Sequence, residues 1–557
     1  MVRGWSGTMG TLVAALLLQA VSLGHFAPPV GTAKTTPPAN PDAVCARCHQ
    51  AIYDRYEQTN MARASGPVAD GLLQGGFTHQ PSGVEYKVFL RGNEALMSYA
   101  RPSSGLGGER RLSFFVGSGH RGRTYLYEEE GLWFEAPINY YSKKEIWDMA
   151  PNFGNVRAMP DGLPVDSNCL HCHATEVQQP LPGARNRYAT VPFKQGGIGC
   201  SACHGDASAH LAGKGLGPIV NPAKLMPARR DSVCLQCHLE GDTAIYRPGK
   251  SLTAFRAGED LSDYVNYFVK EGAEAGGGRA ASQYEALLRS KCKIASGDVL
   301  TCTTCHDPHG SPPESERVSF YRQKCLTCHT GEQFAVKHHP EQQDCAVCHM
   351  PTRATTDISH EQTTDHNIQR RPAASNLHLA SLGENGSHLV PVGNVKPGDR
   401  EFGLAYEQTG MNGNREAQQM ALKLLLRAEA SGADDIELHT QLGLIYQFAG
   451  QPAAARKEYD RVLALDASNN TALGNKAVLE AGSGHTATAA SLLKQVVAND
   501  PSQVAAGLNL ALIQCLSGNK AEASAILANL RRFDPDDPAV LGFIRKGVYA
   551  GQRCSVE

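Results

Sequence analysis

Hydrophobic and polar positions divide this chain into stretches of different texture. An apolar run, Thr11 to Leu23, follows Arg3. It is short of the roughly 20 residues a membrane-crossing helix needs and suits the central region of a secretory signal. Residues 1–24 are expected to be a signal peptide and the Pro- and Thr-rich residues 25–41 a tether without a core. Farther on, Val84 to Leu90, Ala95 to Ala100, Arg110 to Val116, Arg123 to Glu128 and Leu132 to Ile138 are short runs rich in Tyr, Phe and Val. Gly-Asn, Ser-Gly and Gly-Ser-Gly turn signals separate them, which predicts a small inserted antiparallel sheet over about 77–141. Residues 371–400 hold Pro372, Gly383, Gly386, Pro391, Gly393, Pro397 and Gly398 and read as a linker.

Beyond residue 401 the pattern turns continuously helical and periodic. Gly450, Gly484 and Gly518 stand 34 residues apart, as do Ala455, Ala489 and Ala523, and Ala467, Pro501 and Pro535. Three repeats follow, 436–469, 470–503 and 504–537, with a degenerate helical pair at 401–433 before them and a capping helix from Ala539. Small residues let the two helices of each hairpin approach, and Pro starts the next hairpin by ending the last helix. Period and positions resemble the tetratricopeptide repeat.

Candidate chemistry lies between these stretches. Cys-x-x-Cys-His occurs seven times: Cys45/Cys48/His49, Cys169/Cys172/His173, Cys200/Cys203/His204, Cys234/Cys237/His238, Cys302/Cys305/His306, Cys325/Cys328/His329 and Cys345/Cys348/His349. The pentapeptide is the attachment signature of c-type haem. Two thiols at this spacing add to the vinyl groups of one porphyrin, and the next imidazole reaches its iron. Cys-x-x-Cys pairs also build zinc knuckles, but zinc would not require His at that one offset. Histidine is 21 of 557 residues, too few for seven chance hits. The expected cofactors are seven c-type haems and their iron, in a domain spanning 42–370.

Covalent haem attachment and a secretory signal agree on a periplasmic or secreted protein with no integral membrane segment once the signal is removed. Fourteen of the 17 cysteines belong to motifs, leaving Cys292, Cys515 and Cys554, so disulfides are not the main framework. Cys515 reads as a small core residue of a repeat helix and Cys554 as part of an exposed tail. A formal charge of −2 argues against nucleic acid or an anionic membrane as partner.

Spare histidines decide between wire and enzyme. A haem with His on both faces carries electrons only, whereas an open distal face binds a small molecule. Distal candidates are His79, His120, His210, His309, one of His338 and His339, His360 and His366. His171 lies inside its own motif and cannot fold back onto its own iron. Seven candidates for seven haems favour saturated, low-potential irons.

The segments Cys-His-Gly-Asp-Ala-Ser-Ala-His from Cys203, Leu-Thr-Cys-Thr-Thr-Cys-His-Asp-Pro-His-Gly from Leu300, Cys-His-Met-Pro from Cys348 and Thr-Asp-His-Asn-Ile from Thr364 resemble the multihaem cytochromes c with doubled Cys-x-x-Cys-His motifs. This group is related to the tetrahaem cytochrome of ammonia oxidation. The resemblance implies short helices and loops wrapped around haems, here with a small inserted sheet and an all-α repeat solenoid. It also implies that His210, His309 and His366 ligate neighbouring haems. Where the tetrahaem relatives carry His after the first motif helix, this chain has Met61, a reserve axial ligand. The Cys-x-x-Cys-Lys of related nitrite reductases is absent. The expected function is electron relay with the repeats docking a redox protein; the alternative is an oxidoreductase acting on a small nitrogen or sulfur compound at one open haem.

Overall fold

The computed structural model describes residues 40–556 apart from 152, 272–278, 331–342, 356, 359, 370–387 and 411–413. Within them, the motifs sit on or at the end of short helices. Local side chains start three of these helices. Asp166 accepts from Asn168 N ahead of Ser167–His171, and Asp344 from Ala346 N ahead of Cys345–His349. Thr301 and Thr304 form a reciprocal cap around Cys302–Cys305. Each such cap contributes about 1 kcal/mol, a large share for a helix of one turn. The first helix, Ala43–Tyr56, breaks at His49 (φ −118°, ψ 38°), directly after its second cysteine.

The inserted sheet is larger than expected. Its ten strands run from Ser65–Pro67 to Leu163–Pro164, and the main path pairs antiparallel neighbours from Gly75–His79 through Val84–Arg91, Glu94–Arg101, Leu106–Val116 and Gly122–Glu129 to Leu132–Glu135. The flanking strands escaped sequence reading because they are short or Gly-rich and lack an alternating pattern of their own. Along Val84–Arg91 alternation decides the faces: Val84, Tyr86 and Val88 are buried, and Glu85 and Lys87 are exposed. Tyr86 pairs with Tyr99 and Val88 with Met97, so cross-strand contacts stack on one face. That face carries a core including Tyr86, Met97, Tyr125 and Phe134, each side chain worth about 1.5–3 kcal/mol of burial. The opposite face, with Leu126 and Trp133, packs on Leu170 of the second motif helix and on Phe193. The sheet aromatics therefore divide between an ordinary core and the wall of the haem-motif region.

Three helix pairs form the repeats: Ile436–Phe448 with Pro452–Leu465, Asn470–Gly482 with Thr486–Asn499, and Val504–Leu516 with Lys520–Phe533. Gly450, Gly484 and Gly518 end each first helix with φ of 70°, 85° and 88°, a conformation that favours glycine. Ala455, Ala489 and Ala523 are fully buried between the paired helices. Ahead of the repeats, Asp399–Gly410 packs against Arg415–Ala430; after them, Pro538–Lys546 leads into the hairpin Val548–Tyr549 and Gln552–Arg553. Cys515 and Cys554 are not a plain core residue and a free tail: they form a disulfide, 39 residues apart in sequence, that ties the hairpin to the last repeat. A loop of that size contributes about 4 kcal/mol.

The solenoid is clamped to the cytochrome region at both ends. Phe402 packs edge-on against Phe268 at 5.1 Å, Tyr406 Oη accepts from Leu389 N, and Arg400 donates to Tyr246 O at 2.9 Å. The expected linker thus includes a strand, Leu389–Pro391, paired with Val265–Lys270, and ends in a helix. At the far end Phe533 enters the sheet core beside Phe134, Arg101 pairs with Asp536, and Asp536 also accepts from Met159 N at 2.7 Å.

Carboxylates gather at that second contact. Burial, with Asp161 and Asp537 nearby, raises the Asp534 carboxyl to about 7. A folded pKa above the unfolded value means stability is greatest below the unfolded pKa of about 4 and falls as pH rises toward 7. Asp534→Asn is expected to flatten that fall, so the variant unfolds at a higher temperature than the parent at pH 8. Thermal melts of both proteins between pH 4 and 8 check this.

Candidate haem centre

One cavity of about 3390 Å³ runs through the motif region. It is more than three times the upper end of the roughly 300–1,000 Å³ range of ordinary small-molecule sites. All seven motif histidines line it, with His120, His171, His210, His309, His366 and Met61.

Tight backbone crossings hold the wall. Tyr56 Oη donates to Ile198 O at 2.6 Å, Ile198 N donates to Met61 O at 2.9 Å, and Cys200 N donates to Asp42 Oδ2 at 3.0 Å. These contacts seat the first motif against the third. Gly197, at φ 67°, makes the crossing possible: a Cβ there would lie 1.8 Å from Ala62 O. The second motif is held against the fourth, where His171 Nε2 and Gln236 Oε1 are 2.8 Å apart and Cys172 Sγ lies 3.7 Å from Gln236 O.

Imidazoles meet in pairs across the cavity. His49 and His210 have ring centres 6.5 Å apart, His204 and His309 6.0 Å, and His306 and His366 6.2 Å, with interplanar angles of 17°, 9° and 28°. Two imidazoles on opposite faces of one metal ion, each nitrogen about 2.0 Å from it, have ring centres about 6 Å apart. In three of the six rings Nδ1 already faces a backbone carbonyl: His204 with Val220 O (2.8 Å), His210 with Gly217 O (3.1 Å) and His366 with Thr364 O (3.0 Å). An Nδ1–H donated to carbonyl fixes the tautomer and leaves Nε2 as the ligating nitrogen. Burial lowers the pKa of His173, His238, His306 and His366, which favours the neutral form that binds metal. His173 Nδ1 is buried with no hydrogen-bond partner. Cavity size, paired imidazoles and thiols on one wall fit covalently attached haem.

The remaining expected ligands lie elsewhere. His79 is buried in the sheet, Nδ1 2.8 Å from Ser82 Oγ and Nε2 3.1 Å from Gly154 O, away from the cavity. His360 also stands outside the wall, its ring nitrogens facing Lys144 Nζ (3.0 Å) and Asp148 Oδ2 (2.8 Å). His120 is exposed at the cavity margin and makes no ring pair among the described residues. His338 and His339 fall outside the described residues. The sequence reading missed Glu135 and Glu240, cavity-wall carboxyls raised to about 7 chiefly by burial. The available signal for Glu135 was a lone acid closing the apolar run Leu132-Trp133-Phe134.

Comparison with known proteins adds three family matches: the doubled CXXCH motif at residues 293–334, cytochrome c554 and c-prime at 148–205, and the tetratricopeptide repeat at 480–546. The chain is a multihaem c-type cytochrome joined to tetratricopeptide repeats. The cytochrome is also similar to multiheme cytochrome MtrA of Shewanella baltica, 25% identical over 221 residues. That match covers 35% of this chain and 63% of the relative, so the chain spans less than two thirds of the relative's length. Among solved structures, Pseudomonas aeruginosa PilF is 23% identical with a TM-score of 0.23, covering 26% of this chain and 65% of its own. YrrB, a tetratricopeptide protein, is 21% identical with a TM-score of 0.22, covering 25% and 71%.

Gly197→Ala is expected to cost about 2–4 kcal/mol through strain at positive φ and the collision with Ala62 O. It should also lower haem attachment at the first and third motifs. Thermal unfolding and peptide mass analysis of these two motifs read out the two effects.

Proposed function

We propose that this cytochrome is an exported electron-transfer protein carrying seven covalently bound haems. The observation that carries the reading is the set of three imidazole pairs at 6.0–6.5 Å, which leaves no vacant face at those positions. A haem bound at each site supplies one-electron oxidation and reduction at iron. The chain's part is to anchor and orient. In each motif two cysteines fix the ring edge and the following His supplies one axial nitrogen. His210, His309 and His366 supply the opposite nitrogen to the first, third and fifth sites. Export is supported by the N-terminal apolar run and by the Cys515–Cys554 disulfide, a bond that persists in oxidising compartments. No helix among the described residues is long and apolar enough to cross a membrane.

Tetratricopeptide repeats are protein-interaction modules, and the repeats here dock a redox partner beside the cytochrome. Their contacts at both ends, through Phe402 and Phe533, make them a brace as well, so the partner meets a fixed surface.

A second reading rests on His238. The side chains acting on its imidazole include Gln283 and Arg121, and it forms no close ring pair among the described residues. This position suits a small nitrogen or sulfur oxyanion, bound beside a cation in a buried wall.

Mature protein is expected to weigh seven haems more than the bare polypeptide, with mainly low-spin electron resonance signals. His309→Ala should convert one further haem to a high-spin signal without changing the mass increment. An unchanged spectrum would remove the assigned ligand. Added nitrite, hydroxylamine or sulfite should leave the spectrum unaltered if electron transfer is the whole function, and shift one signal if the second reading holds.

A further inference from the structure

Contacts between the attachment segments do not follow chain order. Ring pairs tie the first motif to the segment after the third (His49 with His210), the third to the segment after the fifth (His204 with His309), and the fifth to the segment after the seventh (His306 with His366). The second motif meets the fourth through His171, Cys172 and Gln236. Gln236 also turns its Nε2 to Ala202 O at 3.3 Å, joining the fourth motif to the third. A thiol–thiol hydrogen bond between Cys234 and Cys302 joins the fourth to the fifth, and another between Cys325 and Cys345 joins the sixth to the seventh.

We infer that the seven haem sites form a branched array: the third, fourth and fifth segments touch one another at the centre, and three arms run outward, from the third to the first, from the fourth to the second, and from the fifth through the seventh to the sixth. This inference rests on the proposed haem content and adds what the content alone does not imply, namely three ends instead of two. A reduced one-electron donor at one end is oxidised as an oxidised acceptor at either other end is reduced. One electron leaves the first and reaches the second, and no bond in the protein is made or broken. Two ends have distinct surroundings. At the first, Cys48 is exposed and lies off the cavity wall. The second lies near Tyr246, whose carbonyl accepts from Arg400 in the first solenoid helix, so a partner held by the repeats stands nearest that arm.

Diffraction from the holoprotein at the iron absorption edge would locate the irons. Seven irons with those of the third, fourth and fifth motifs as mutual neighbours, and those of the first, second and sixth each with one neighbour, is the expected result. Seven irons in single file overturn the branching and leave the haem content standing; fewer than seven overturn the content on which the branching rests. A second measurement works in solution. A ruthenium photosensitiser on Gln50→Cys injects electrons at the first arm of a Cys169→Ser/Cys172→Ser variant. Reduction of the remaining haems at the parent rate supports branching. Loss of reduction beyond the first site, in a variant of native circular dichroism and melting temperature, overturns it, since only a path in chain order runs through the second motif.

Discussion

A region whose interior is given over to prosthetic groups has to hold its walls without an aliphatic core, and the rest of the cytochrome follows from that constraint. Its walls are set by polar crossings at named atoms. Asp42 accepts from Cys200 N and from Gln195 Nε2, Tyr56 donates to Ile198 O, and Glu285 accepts from Gly241 N at 2.7 Å. Each bond is modest by itself. Together they fix which motif segment faces which, and hence which imidazole stands opposite which.

Apolar burial is correspondingly moved to the outside. The ten-stranded sheet keeps a core of its own on one face and lends the other face, through Trp133 and Leu126, to the second motif helix. The repeats have a continuous core around Ala455, Ala489 and Ala523 and clamp onto the cytochrome region at Phe402 and Phe533. Two conventionally packed units therefore brace one that is not. The disulfide at Cys515 closes the outer end of the solenoid, where no further repeat covers the last helix pair.

Much of this was legible along the chain. Cys-x-x-Cys-His is a local signature: the thiols and imidazole that take one haem lie within five residues, so no folding is needed to recognise them. The 34-residue period is equally local, because each repeat contacts mainly its neighbours. Alternation in Val84–Arg91 and its partners exposed the middle of the sheet. Ser65–Pro67 and Leu163–Pro164, two or three residues long, have no period to read and exist only because longer strands offer them an edge.

The sequence by itself determined the chemistry of attachment, the repeat architecture and the list of histidines able to act. Only the tertiary structure decided their use: His210, His309 and His366 stand opposite motif imidazoles, whereas His79 and His360 are taken up by Ser82, Gly154, Lys144 and Asp148. The reason is physical. A proximal ligand is set by covalent spacing, which sequence states directly; a distal ligand is set by the crossing of segments more than fifty residues apart, which depends on packing at positions such as Gly197 that carry no chemical signature of their own.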